Sequence, residues 1–261
     1  MPEFMYSLSD FQIFALLTGM AAGISLLLVI TSKRFIFHKL HYRDNETISS
    51  ISALIGIIYG VLVGFICLYL VNNQNGASNA TQREADAAAN VYLYSQWLKQ
   101  PVQQTVQKDL QGYINLVINQ EWPLMAAFKP INQQGDFIIK KIFNDLIQFT
   151  PTNPTETIVM QNILNEVKEL HNARHDRINV SNTTLSPELW GVILVGTILI
   201  IAINFAFRVN FYLHLFSIGV FSIMAASMLF LLVTLDRPFQ GEFSVEATPM
   251  VAALNLMNNK S

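Results

Sequence analysis

Charge is scarce in this chain. Asp, Glu, Lys and Arg make up 13% of it, against roughly a quarter in soluble domains. The formal net charge is −2, which excludes a strong general pull toward nucleic acid or anionic lipid. Cysteine is nearly absent. Cys67 stands alone, so no internal disulfide can form, and its expected role is small apolar filler. There is no Gly-rich phosphate loop and no nucleophile motif, so catalysis is not expected and no cofactor is implied. Strand-type alternation of useful length is missing as well.

What the chain has is apolar length. Hydrophobic residues make up 52% of it, with long runs at 11–31, 48–71, 189–207 and 213–235. Each is close to the roughly 20 residues that a helix needs to cross a bilayer core. None contains Asp, Glu, Lys or Arg. A soluble core helix of that length would show a polar face every 3.6 residues, and these do not. They read as four transmembrane helices in two pairs. Proton pumps and ion-coupled transporters keep ionisable relays inside the membrane, so the uncharged runs argue against that class. A channel remains compatible, because a pore can use apolar gates, backbone groups or charged rings at its mouths. The first run is not expected to be a typical signal peptide: it is too long, and residues 1–10 carry Glu3 and Asp10 but no Lys or Arg.

Residues 72–186 lie between the pairs and have the length of an ordinary domain. Pro101 can open a helix, and Pro123 and Pro130 should break or kink one. Asn153-Pro154 with Glu156 approaches a capping box. Ser186-Pro187-Glu188 is a second strong helix start, and Ser9-Asp10 can cap the first run. Four helices are expected, near 78–99, 101–127, 134–149 and 154–181. The expected fold class is therefore all-α, with a helical bundle inserted between the second and third spans. The boundaries are 5–71 for the first two spans, 72–186 for the bundle, 187–235 for the last two spans and 236–261 for a C-terminal tail.

Two bundle helices carry a narrow apolar seam. One is Val102, Val106, Leu110, Tyr113, Val117 and Glu121; the other is Val159, Ile163, Val167, Leu170, Arg174 and Arg177. Both seams end in charge. Glu121 paired with Arg174 and Arg177 would satisfy both sides; solvated helix ends are the alternative. His171 and His175 share a helix face and could hold a metal, but no third ligand is identifiable, so a solvated face is preferred.

Inside the membrane, Ser52, Gly56, Gly60 and Gly64 fall four residues apart. That line of small residues lets another backbone approach closely, either within the chain or between copies around a pore. Asn204 should hydrogen-bond across helices. His214 and Trp190 sit near span ends, as do Tyr69 and Tyr212, and suit an interface. Lys33, Arg34, Lys39 and Arg43 crowd the first short loop, and Arg208 lies in the last. The positive-inside rule puts both loops in the cytoplasm of a plasma (inner) membrane protein, with the bundle on the other side.

The fourth run exits through Leu235-Asp236-Arg237-Pro238-Phe239-Gln240-Gly241-Glu242-Phe243. Pro238 can end the helix, Gly241 can turn the chain and Phe239 can anchor at the interface. Asp236 and Arg237 would suit a pore mouth, or a cap that docks the tail. This stretch resembles the closing signature of the bestrophin-like domain family. So, in order, do Ile55-Gly56-Ile57-Ile58-Tyr59 with Gly64-Phe65, Glu84-Ala85, Tyr113 with Glu121-Trp122-Pro123, and Arg174 with Arg177, Pro187 and Trp190. The resemblance implies kinship with bestrophins, which are pentameric, helical chloride channels with a large cytoplasmic part. That location opposes the loop-charge reading. The expected partners are the lipid bilayer, further copies of the chain and small inorganic ions, and the expected function is an anion-passing channel. The alternative is a non-conducting scaffold or sensor whose bundle binds a partner.

Overall fold

The structure is a computed structural model. It describes residues 9–27, the backbone of 28–35, and residues 45–207 and 209–258. The basic residues used for orientation lie outside this description: Lys39, Arg43 and Arg208 entirely, Lys33 and Arg34 in their side chains. Among the described residues the fold is all-helical, with no strand.

The helices are α1 (Asp10–Phe35), α2 (Asn45–Ser95), α3 (Val102–Leu116), α4 (Trp122–Ala126), α5 (Gln134–Ile147), α6 (Pro154–Ser181), α7 (Pro187–Asn204), α8 (Phe211–Leu235) and α9 (Thr248–Asn258). A π-helical turn, Val117–Glu121, joins α3 to α4. Helices α1, α2, α7 and α8 are long and apolar enough to cross a membrane. The chain divides into two compact units, Met1–Asn72 with Thr184–Asp236, and Asn73–Thr183 with Arg237–Ser261.

One expectation is corrected at α2. The second span and the helix expected at 78–99 are a single 51-residue helix. No proline interrupts residues 45–95, and the Asn-rich stretch around Gly76 costs at most about 1 kcal/mol per residue, too little to force a break. The Pro123 and Pro130 region distorts and then ends a helix, as expected: the π turn precedes Pro123 and α4 stops at Ala126. Pro123 has no N–H to give Asn119, and the π turn just before it carries the helix past that gap.

In the first unit the principal packing of α1 is against α8, not within an α1–α2 pair. Phe14 meets Phe230 edge-to-face at 5.4 Å, and the Ser25 and Ser222 hydroxyls bond to each other. A core of Ile13, Val63, Leu70, Trp190, Ile193 and Leu232 ties α1, α2, α7 and α8 together. Trp190 is thus buried in this core and not placed in an interface belt. Tyr212 is 83% exposed. The outward faces remain apolar, with Ile57, Ile58, Phe65, Ile198 and Phe216 all exposed, as a lipid-facing surface requires.

The second unit is a bundle of the later part of α2 with α3, α5, α6 and α9. Its core holds Val91, Val106, Leu110, Ile142, Ile163 and Leu170. Asn153 accepts Glu156 N–H at 2.8 Å at the start of α6. Glu156 accepts the Thr152 N–H at 2.7 Å in return, completing the cap. The segment expected as a tail adds a helix: Met250, Ala253 and Met257 of α9 are buried in the same core, and Tyr92 donates to the Met257 carbonyl at 3.0 Å.

Candidate functional site

The most chemically loaded place in the chain is inside the bundle. Arg174 and Arg177 end the apolar stripe of α6 and are 1% and 0% exposed. The Arg177 guanidinium is held on every side. Its Nε donates to Glu84 Oε2 at 2.5 Å, and its Nη2 donates to Glu84 Oε1 at 2.9 Å and Glu121 Oε2 at 2.7 Å. Its Nη1 reaches the Met125 sulfur at 3.2 Å, and the Trp122 ring lies 5.7 Å away. Arg174 Nη2 donates to the other Glu121 oxygen at 2.7 Å, and its Nη1 pairs with Asp136 at 2.8 Å. Tyr113 donates its hydroxyl to Glu84 at 2.5 Å.

Two buried carboxylates therefore face two buried guanidiniums, and their charges cancel. The structure brings together Glu121, Arg174 and Arg177, all singled out in the sequence. It adds Glu84, Asp136 and Gly135. Glu84 had a signal: Ala77, Thr81, Glu84, Ala88, Val91 and Ser95 recur at steps of three and four, and all are buried. The π turn resets the helical phase just ahead of Trp122 and ends on buried Glu121. Gly135 leaves the room: a Cβ there would stand 2.5 Å from Arg174 Nε and 2.8 Å from Glu121 Oε1.

Electrostatics agree with the geometry. Burial alone would lower the pKa of Arg177, but the carboxylates of Glu84 foremost and then Glu121 outweigh it and raise the value. Arg174 follows the same balance through Glu121 and Asp136. The Tyr113 hydroxyl is held well above its ordinary pKa by burial first and Glu84 second. At the rim, burial and the neighbouring His175 lower the pKa of His171.

In the membrane unit the sequence-selected residues are arranged differently. Tyr59 reaches from α2 to α7, where its hydroxyl bonds to Thr197 Oγ1 at 2.6 Å and donates to the Ile193 carbonyl at 3.2 Å. Its ring lies on Gly196, where a Cβ would collide with it. Among the described residues, nothing lies within 4 Å of a Cβ added at Gly56, Gly60 or Gly64. Ser52 and Gly56 line a cavity of about 480 Å³ with Asn204, His214, Ser217 and Phe221. Among the described residues, Asn204 bonds its own helix, donating to the Ile200 carbonyl at 2.7 Å. His214 is 3% exposed and edge-on to Phe205.

The exit signature divides its tasks. Asp236 is buried and accepts the Leu185 N–H at 2.7 Å. Arg237 lies 3.9 Å over the Phe128 ring and donates to Gln240 at 3.0 Å. Pro238 is buried, and its carbonyl accepts the Val245 N–H at 2.8 Å. Gly241 has φ 81°, a left-handed conformation that favours glycine. Phe239 is no interface anchor: it is buried in the bundle unit against Trp122, edge-to-face at 5.5 Å.

The family model described as Bestrophin-like domain matches residues 19–250. Curated proteins give no match. Among solved structures, one variant of a bacterial bestrophin homologue from Klebsiella pneumoniae is similar over 94% of this chain and 99% of its own, with TM-score 0.73 and 11% identity. A second variant of that homologue covers 95% and 99%, with TM-score 0.72 and 13% identity. A crystal structure described as a membrane protein gives the same coverage, TM-score and identity as the second. At these identities the likeness is one of fold.

Proposed function

The chain belongs to the Bestrophin-like domain family, and on that premise we propose that it is an oligomeric ion channel passing small anions. The observation that carries the reading is the line Gly56, Gly60 and Gly64. Added Cβ atoms at these positions have open space around them in one copy of the chain, and a small-residue row is where a second backbone can approach. Assembly around an axis would turn the Ser52–Gly64 face and the Asn204 cavity toward neighbouring copies, with Tyr59 holding α2 in place from behind. Five copies follow from kinship with bestrophins. The uncharged spans fit conduction past apolar and backbone surfaces. Asp236, Arg237, Pro238, Phe239 and Gly241 then serve the exit from the last span, and Glu121, Arg174 and Arg177 hold the bundle as a vestibule or regulatory domain. By loop charge, the bundle lies on the non-cytoplasmic side of the plasma (inner) membrane.

Gly60→Leu separates assembly from folding, because a Cβ added at Gly60 meets no described atom of its own copy within 4 Å. Native mass measurement should find a multimer for the wild-type chain and smaller species for the variant. Chloride release from liposomes should fall in parallel. A wild-type monomer, or a variant with unchanged mass and release, would remove the reading.

A further inference from the structure

We propose that Asp136, His171 and His175 form a binding site for a transition-metal dication of the Zn²⁺ type on the rim of the bundle. The two histidines are four residues apart on α6 and so share a face; their rings lie 4.5 Å apart. The first turn of α5 supplies the third group. Asp136 Oδ1 stands 3.8 Å from His171 Nδ1 and 3.7 Å from His175 Nε2, and the three donor atoms lie within 4.8 Å of one another. Ligands about 2.0–2.1 Å from a tetrahedral zinc are about 3.3 Å apart. Closing the difference falls to side-chain rotation of the part-exposed histidines.

The chemistry of the donors selects the ion. Two imidazoles and one carboxylate suit zinc and its neighbours, whereas Ca²⁺ and Mg²⁺ want oxygen cages. Three protein ligands leave a fourth position for water. The histidine side chains are 40% and 50% exposed, so an ion has a path in. Asp136 is also held from behind, since Arg174 Nη1 pairs with the same oxygen at 2.8 Å and Arg174 is itself fixed by Glu121. Such outer partners orient a ligand. Here they also connect the rim to the buried charges: an ion on Asp136 draws on the carboxylate that Arg174 uses. Filling the site pins α5 to α6, and it is expected to stabilise the bundle.

The test uses full-length, untagged protein in detergent, titrated with ZnCl₂ by calorimetry and followed by thermal unfolding. The wild-type chain should bind one ion per chain and unfold at a higher temperature with zinc present, and MgCl₂ should not substitute. His171→Gln with His175→Gln should unfold at nearly the wild-type temperature without metal and lose both zinc effects. Loss of an outer-shell partner alone costs roughly 10–100-fold in metal affinity, so losing two ligands should remove the isotherm. Asp136→Asn is the poorer probe, because it also disturbs Arg174. Zinc uptake that is equal in the double variant, or absent in the wild-type chain, would overturn the proposal.

Discussion

Replacing Arg177 with Met should be among the most damaging single changes in the bundle. The guanidinium is fully buried and donates to both Glu84 oxygens and one Glu121 oxygen. Met fills much of the volume but, among the described residues, leaves Glu84 with only the Tyr113 hydroxyl and Glu121 with only Arg174. Removing one partner of a buried ion pair costs about 3–5 kcal/mol, mostly because the other charge is stranded. At about 2–4 °C per kcal/mol for a chain of this size, the unfolding temperature should fall by roughly 6–20 °C. The pair itself need not be net stabilising, since two solvated charges had to be buried to form it. Arg177→Met combined with Glu84→Gln should therefore recover a large part of the loss. Thermal unfolding of detergent-solubilised protein, followed by helical circular dichroism, reads both variants. A fall worth under about 1 kcal/mol for the single variant, the range of exposed pairs, would refute the buried-network account. A double variant no better than the single one would refute the stranded-charge explanation.

The remaining predictions follow from other contacts. Gly135→Ala should destabilise the bundle, because its Cβ meets Arg174 and Glu121; Gly112→Ala, on an open face of α3, should stabilise it by about 0.5–1 kcal/mol. Their unfolding temperatures should move in opposite directions. Glu156 has its pKa lowered from 4.5 to about 2, by the Thr152 N–H first and Lys99 second. Its contribution is therefore complete above the ordinary value and fades as pH falls from about 4.5 toward 2. The stability gap between wild type and Glu156→Gln should narrow across that window, and a constant gap would contradict the assignment. Lys108→Cys, on the exposed face of α3, should be labelled by an impermeant thiol reagent from outside intact cells. Labelling only after lysis would mean that the loop charges misreport the orientation.

Much of the architecture was readable because it rests on local chemistry. Four uncharged apolar runs, the Asn153-Pro154-Glu156 cap and the Ser186-Pro187 start each act within a few residues, and each lies in or beside a helix that the structure contains. Arg174 and Arg177 were legible because charge at the end of an apolar stripe is costly unless paired. Their partners were harder. Glu84 sits in a mostly small-residue seam within a helix long enough to serve both units, and Asp136 reaches Arg174 only because α5 folds back on α6. The burial of Trp190 and Phe239 was missed for a related reason: an aromatic residue near a span end suits an interface or a core equally, and only tertiary packing chooses. Asn204 illustrates the opposite case, in which a backbone carbonyl four residues back satisfies an amide that seemed to require another helix. The helix α9 did leave a trace, in Thr248-Pro249 followed by Met250, Ala253 and Met257 at helical spacing.

The most direct measurement of the central claim is current through purified protein in a planar bilayer. The account predicts unitary, anion-selective currents from the wild-type protein and a loss of those currents with Gly60→Leu. Silence of the wild-type protein under varied ions, pH and voltage would contradict it.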